Sequence, residues 1–223
     1  SNTEATVEST VDRVNSDLLD IRQIFNAANY NIVQEFDISS GKFAEQFSLL
    51  YEVNSDKIES LALYGDGGRL IASEPVAVEK ENIDVKGQDW YKNAESAIEN
   101  IHFSVPHIQN LYEDGLYRYH WVVSLSRYVD INDGEIPGSG VLLVDMKYSV
   151  IEDVLKQIND SSEGIYYYMI SRDGQMIYHP RRTEMARGLF EENSLQAAGY
   201  EEGTYEITTD GHKESVVVGN IAY

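Results

Sequence analysis

The sequence contains no cysteine. That excludes disulfides, thiolate nucleophiles and Cys-ligated zinc or iron–sulfur sites together, and it leaves the compartment open. Cationic residues are scarce: 17 Lys and Arg stand against 38 Asp and Glu, a formal net charge of −21. A protein that tracks nucleic-acid phosphates needs the opposite balance, so no nucleic-acid partner is expected. An anionic membrane surface would be repelled in the same way. Long apolar runs are also missing. Spanning a bilayer takes roughly 18 apolar residues, whereas the runs 121–123 and 141–144 have only strand length. There is no Gly-rich phosphate loop, no His-Glu-x-x-His, no nucleophile elbow and no kinase signature. Catalysis, a cofactor and a resident metal are therefore not expected.

What is present reads as a folded chain. Its 223 residues are 42% hydrophobic and 25% charged, which fits one large domain or two small ones. Val7, Val11, Val14, Leu18, Ile21, Phe25, Ala28 and Ile32 recur at spacings of four and three, a heptad seam uninterrupted by Gly or Pro. The spacing predicts one helix over 4–35, a rod of about 48 Å at 1.5 Å per residue. Its stripe serves either its own domains or a second copy of the chain as well.

Two similar halves follow. Residues 61–72 and 166–179 each read as strand, tight turn, strand, turning at Asp66-Gly67 and at Asp173-Gly174. Asp-Gly between apolar runs is a hairpin signal, because Gly tolerates positive φ. A helix precedes each hairpin; the second, 150–158, carries Val150, Ile151, Val154, Leu155 and Ile158 on one face. Between the halves, 89–98 reads as a helix capped by Asp89, with Trp90 and Tyr91 in its first turn. Residues 103–109 and 117–129 read as strands. A loop over 130–139 leads into a strand over 140–148. The second half is poorer, with one hairpin, a polar stretch and a last hairpin turning at Asp210-Gly211. The fold class is thus α+β: a long N-terminal helix and two PAS-like modules with antiparallel sheets, the second incomplete at its C-terminal side.

Aromatic content carries the functional signal. There are sixteen tyrosines, and Trp90, Tyr91, Tyr117, Tyr119 and Trp121 all fall in the first half. Flat rings with polar rims suit a pocket for a small polar molecule, and equally suit a sheet core. His107 and Gln109 share one strand parity. Asp145 interrupts an apolar run, where a carboxylate needs a structural donor or a ligand. Three histidines, His102, His107 and His120, fall in one half, but nothing in their spacing makes a metal site. The acidic pairs Glu113-Asp114 and Glu191-Glu192 read as solvated loop charges.

The order of these elements resembles the extracellular double Cache sensor domains of bacterial transmembrane receptors, and most of all those of sensor histidine kinases of the YesM type. The resemblance runs through 58–64, 101–111, 119–127, 140–146, 164–166 and 177–180. It implies a signalling helix over 3–36, a membrane-distal ligand-binding module over 37–148, a linker helix over 149–160 and a truncated membrane-proximal module over 161–223. It also implies a parent on the extracellular side of the bacterial cell membrane, held there by flanking segments outside this chain. That parent would pair as a homodimer through the N-terminal helix and signal to a cytoplasmic kinase. Some such domains grip amino acids through Arg-x-Trp-Tyr, a later Tyr-x-Asp and a final Asp. Here Trp90-Tyr91 and Asp145 match, while Gln88 replaces the Arg and His107 and Gln109 replace the Tyr and Asp. An Arg fork is what holds an α-carboxylate, so a carbohydrate-like ligand is expected over an amino acid. The expected site is Trp90, Tyr91, His107, Gln109, Tyr119, Trp121 and Asp145. The alternatives are the ectodomain of a chemoreceptor or diguanylate cyclase, and a secreted carbohydrate-binding protein.

Overall fold

A computed structural model describes residues 2–97, 100–209 and 211–222. Ile98, at the end of the expected helix 89–98, and Asp210, at the last expected turn, lie outside the described residues. The chain divides into two compact units, one of residues 20–148 and one of residues 1–19 with 149–223. Helix α1 (Asn2–Asn26) contributes to both. It does not continue to residue 35 as a regular helix: Ala27–Val33 form a π-helical segment. The wider turn lets Ala28, Asn29, Ile32 and Val33 all be buried. From Val14 onward every seam position, namely Leu18, Ile21, Phe25, Ala28 and Ile32, is buried.

In unit 20–148, Ser40 caps α2 (Gly41–Val53) in extended conformation, its hydroxyl accepting from Phe43 N at 3.1 Å. β1 (Ile58–Gly65) and β2 (Leu70–Glu74) form the first Asp-Gly hairpin. Then come α3 (Asp89–Ser96), β3 (His102–Phe103), β4 (His107–Ile108), β5 (Trp121–Asp133) and β6 (Ile136–Lys147). Gln88, not Asp89, occupies the cap position of α3, and Asp89 is instead the acid of its first turn. The strands make one antiparallel sheet in the order β2-β1-β6-β5-β3, with β4 also on β5.

Three expected boundaries shift. The strand over 103–109 is split into β3 and β4 around Pro106, which lacks an amide donor. β5 starts at Trp121 and not at Tyr117. Asp114 folds the segment before it by accepting from Leu116 N at 2.9 Å, and Tyr117 sits at φ 53, outside strand geometry. The expected loop 130–139 is mostly strand: Asp133 pairs with Ile136, and Gly134 turns the chain at φ 69.

Register sorts the sheet into two faces. Ser60–Asp145–Ser124, Ala62–Leu143–Ser126 and Tyr64–Val141–Tyr128 are cross-strand rows on one face. Leu61–Val144–Leu125 and Leu63–Leu142–Arg127 are rows on the other. The second face meets α2 and the π-helical segment, where Arg127 Nη1 donates to Tyr30 Oη at 2.8 Å. The first face is covered by Trp90, Tyr91 and Ala94 of α3 with Val85, Leu111 and Tyr112 of the loops.

The other unit contains α4 (Ser149–Asp160), which buries Ile151, Val154 and Leu155. It also holds the hairpin β7 (Met169–Ile170) and β8 (Met176–Tyr178), α5 (Arg182–Ala186), α6 (Ser194–Ala198), and the pair β9 (Gly203–Thr209) and β10 (His212–Val218). Gly174 turns the first hairpin at φ 85, with Leu195 packed 3.0 Å from where a Cβ would sit. Tyr166, Tyr168 and Phe190 ring the buried His179, whose Nδ1 accepts from Arg181 N at 3.0 Å. Its Nε2 lies 3.2 Å from Glu192 Oε1, which also accepts from Tyr166 Oη. Glu192 is therefore a structural acceptor and not a solvated loop charge.

Candidate ligand-binding site

The row Ser60–Asp145–Ser124 brings polar groups into an apolar interior. Asp145 is 1% exposed, and its Oδ1 accepts from Ser124 Oγ at 2.6 Å. Burial raises its carboxyl to about 6; the Ser124 hydrogen bond, the nearby His107 and Ser60 act the other way, and Glu59 adds to the rise. Ser60 is 6% exposed. Its Oγ is near enough to ease Asp145's ionisation yet makes no hydrogen bond.

Pairing of β4 with β5 places His107 beside this row. His107 Nε2 lies 3.3 Å from Ser124 Oγ. On its other edge, Nδ1 lies 3.0 Å from Val105 O and 3.3 Å from Ser104 Oγ, and Ser104 Oγ in turn accepts from Ser124 N at 2.8 Å. Proline 106 and its flanking residues thus form a bend held to β5 by Ser104, and the bend aims His107 inward.

Aromatic rings complete the face. Ser126 Oγ donates to Trp90 O at 2.7 Å, tying α3 to the sheet. The Trp90 ring stands 5.2 Å from the Tyr64 ring and 5.7 Å from the Tyr91 ring. Tyr64 and Tyr112 share a buried hydroxyl–hydroxyl hydrogen bond of 2.7 Å. Burial pushes both phenols well above their ordinary range. Tyr112 is set in place by Gln109, whose Oε1 accepts from Tyr112 N at 2.8 Å and from Leu111 N. A second loop segment lies along it: Glu79 and Tyr112 form an antiparallel bridge, Lys80 N donates to Leu111 O and Glu113 N to Val78 O.

Of the seven expected residues, Trp90, Tyr91, His107 and Asp145 meet at this face. Tyr91 serves it from behind, its hydroxyl donating to Gly65 O at 3.3 Å. Gln109 acts through Tyr112. Tyr119 and Trp121 do not belong to the face. Tyr119 lies in the irregular segment before β5 and is 79% exposed. Trp121 has the opposite parity to Ser124, is 51% exposed, and lies 6.2 Å from the Tyr148 ring. The alternation expected over 117–129 was right in period, and the inward set is the complementary one: Val122, Ser124 and Ser126. Sequence reasoning missed Ser60, Tyr64, Glu79, Tyr112, Ser124 and Ser126. Two serines spaced by two in an apolar strand, matching Asp145 on its neighbour, were a usable signal for part of that set. The three histidines go to separate partners: His102 to Ala97 O, His107 to the serines, and His120 to Asp114 and Glu59 at 2.6 and 3.0 Å. Among the described residues no group of three or more His, Asp or Glu could hold a metal.

The family profile for the Cache domain, in its dCache_1 form, matches residues 1–221. The chain belongs to the Cache domain family. Cache domains are sensory and non-catalytic, and typically form the extracellular sensors of membrane receptors. Among the described residues no helix is long and apolar enough to cross a membrane. No curated protein matches the chain in sequence. In structure, this Cache domain is similar to the ligand-binding domain of the Pseudomonas aeruginosa PAO1 amino-acid chemoreceptor PctC, solved with GABA. The TM-score is 0.68 at 18% identity, over 95% of this chain and 88% of that one. It is similar to the Pseudomonas fluorescens chemoreceptor CtaA domain solved with L-isoleucine, with TM-score 0.67, 17% identity and coverage of 97% and 83%. The PctB domain of Pseudomonas aeruginosa PAO1, solved with L-Gln, gives 0.62 at 18% identity, over 95% and 80%. At these identities the likeness establishes the fold.

Proposed function

We propose that residues 20–148 form the membrane-distal, ligand-sensing module of a bacterial transmembrane receptor, with 149–223 as its membrane-proximal module. The ligand is a small polar molecule bearing an amino group, bound at Asp145. The observation that carries this reading is the Ser60–Asp145–Ser124 row: a buried carboxylate beside a buried hydroxyl without a partner, facing an aromatic wall. A buried hydroxyl left unmatched is costly, and Asp145 can accept more than its one bond from Ser124; a ligand donor serves both groups. The site is closed, so entry requires the covering segments around 78–80 and 111–113 to open. A bound ligand then favours the closed arrangement, and a difference in affinity between two arrangements is what signalling needs.

The expected carbohydrate ligand has no support here. The similar domains were solved with amino acids or GABA, and a sugar brings no positive charge to a buried acid. The output we favour is a sensor histidine kinase, on the ordered resemblance described above, signalling through α1 against a second copy. A chemoreceptor is the second reading, because the similar solved domains come from chemoreceptors. The test of the site is a thermal-shift screen of amines, amino acids and sugars against wild type and Asp145→Asn. A ligand at 100 times its Kd adds about 2.7 kcal/mol of stability. A hit that Asp145→Asn leaves unchanged places the site elsewhere.

A further inference from the structure

The covering segment carries a second carboxylate. Glu79 and Tyr112 are bridge partners, so their side chains leave the ladder on the same side. Tyr112 points to the sheet, since its hydroxyl meets that of Tyr64. The neighbours agree: Val76 and Val78 are 87% and 71% exposed, whereas Ala77 packs on the core cluster. Glu79 therefore faces inward, and its Oε1 is sealed from solvent without a hydrogen-bond partner. A buried carboxylate oxygen with no donor is a costly feature unless something supplies one.

The interior face thus has an acid at each side of the Tyr64–Tyr112 pair. Asp145 lies on the sheet, beside the unpartnered Ser60 hydroxyl; Glu79 lies on the cover. The charges that bear on both phenols are those of Glu79 and Asp145, all of one sign. His107, hydrogen-bonded toward Ser124, is the basic group on the Asp145 side. A ligand carboxylate would meet Glu79 with like charge, and like-charge juxtaposition rejects a partner.

Resting on the site reading above, we infer that this module takes a small organic cation with an amino group at each end and no carboxylate, held between Asp145 and Glu79. One ammonium meets Asp145 and Ser60. The second meets Glu79 over the Tyr64, Tyr112 and Trp90 rings, where cation–π attraction adds to the charge pairing. Occupancy by the second ammonium also draws the 78–80 segment onto the sheet, which couples binding to closure.

The decisive comparison is isothermal titration of the chain with 1,4-diaminobutane and with 4-aminobutanoate, which differ by one end group. Wild type is expected to bind the diamine at least tenfold more tightly. Glu79→Gln is expected to weaken the diamine at least tenfold and to leave 4-aminobutanoate unchanged or tighter, with an unaltered thermal midpoint confirming the fold. Asp145→Asn is expected to weaken both. Equal or tighter binding of 4-aminobutanoate by wild type, or a preference untouched by Glu79→Gln, overturns the inference. If another small amine or amino acid binds in an Asp145-dependent way and the diamine does not, the inference falls and the site reading stands. If binding of every such ligand ignores Asp145, both fall. The wild-type comparison needs no variant, so a folding defect in either mutant does not protect the idea.

Discussion

Ser124 Oγ donates to Asp145 Oδ1 at 2.6 Å, between directly opposed residues of β5 and β6 that are each 1% exposed. A short hydroxyl–carboxylate contact of this kind favours the ionised acid, and burial opposes it more strongly.

The balance gives a pH dependence. The folded carboxyl titrates near 6, above an ordinary aspartate near 3.9, so the folded state holds the extra proton between those values. Stability from this group is greatest at low pH, declines as pH rises through about 4 to 6, and stays reduced above that. Asp145→Asn should flatten this decline and be at least as stable as wild type at pH 7. Chemical unfolding of the two proteins at pH 5 and pH 7 measures it. An amine ligand requires the ionised form, so affinity should fall about tenfold per unit below pH 6.

Tyr64 and Tyr112 test the aromatic wall. Removing either hydroxyl leaves the other buried without its partner, at a cost of about 1–2 kcal/mol. Tyr64→Phe with Tyr112→Phe together should cost less than the sum of the singles. A double-mutant cycle by urea denaturation reads the coupling; strict additivity would show that the two hydroxyls do not depend on each other.

Gly140 permits the close approach of β1 to β6. A Cβ there would lie 2.0 Å from Tyr64 O and 2.7 Å from Ile131 Cδ1. Backbone cannot yield as a flexible side chain does, so Gly140→Ala should destabilise by more than about 2 kcal/mol or prevent folding. A thermal midpoint near that of wild type would mean the strands are spaced differently.

Trp121 tests the register. Its ring is half exposed on the opposite face from Ser124. Trp121→Ala should leave ligand-induced stabilisation intact, whereas Ser124→Ala should weaken it about tenfold. A thermal-shift titration of both variants with one ligand decides; loss only in the Trp121 variant would mean β5 is displaced by one residue.

The local pattern was legible because it rests on interactions close in sequence. From Val14 onward the heptad seam named buried positions of α1, since a helix repeats its face every three to four residues. The Asp-Gly pairs located two hairpins, because Gly accepts the backbone angles a tight turn imposes. Asp145 was conspicuous because a carboxylate inside an apolar run must be answered by something. Three-dimensional structure decided what answers it. Ser60 and Ser124 are far from Asp145 along the chain and meet it only through the registers of β1 and β5 on β6. The inward parity of β5 depended on where the strand begins, which Asp114 and the positive φ of Tyr117 settle. Glu79 reached the site because a loop bridge to Tyr112 turns it inward. Local patterning located most of the helices and strands and singled out the misplaced acid, but not the π-helical segment, the break at Pro106, the start of β5 or the strand pairing across 130–139. Only the pairing of distant strands and loops determined which side chains share its face, because a shift of one residue exchanges the two faces of a sheet.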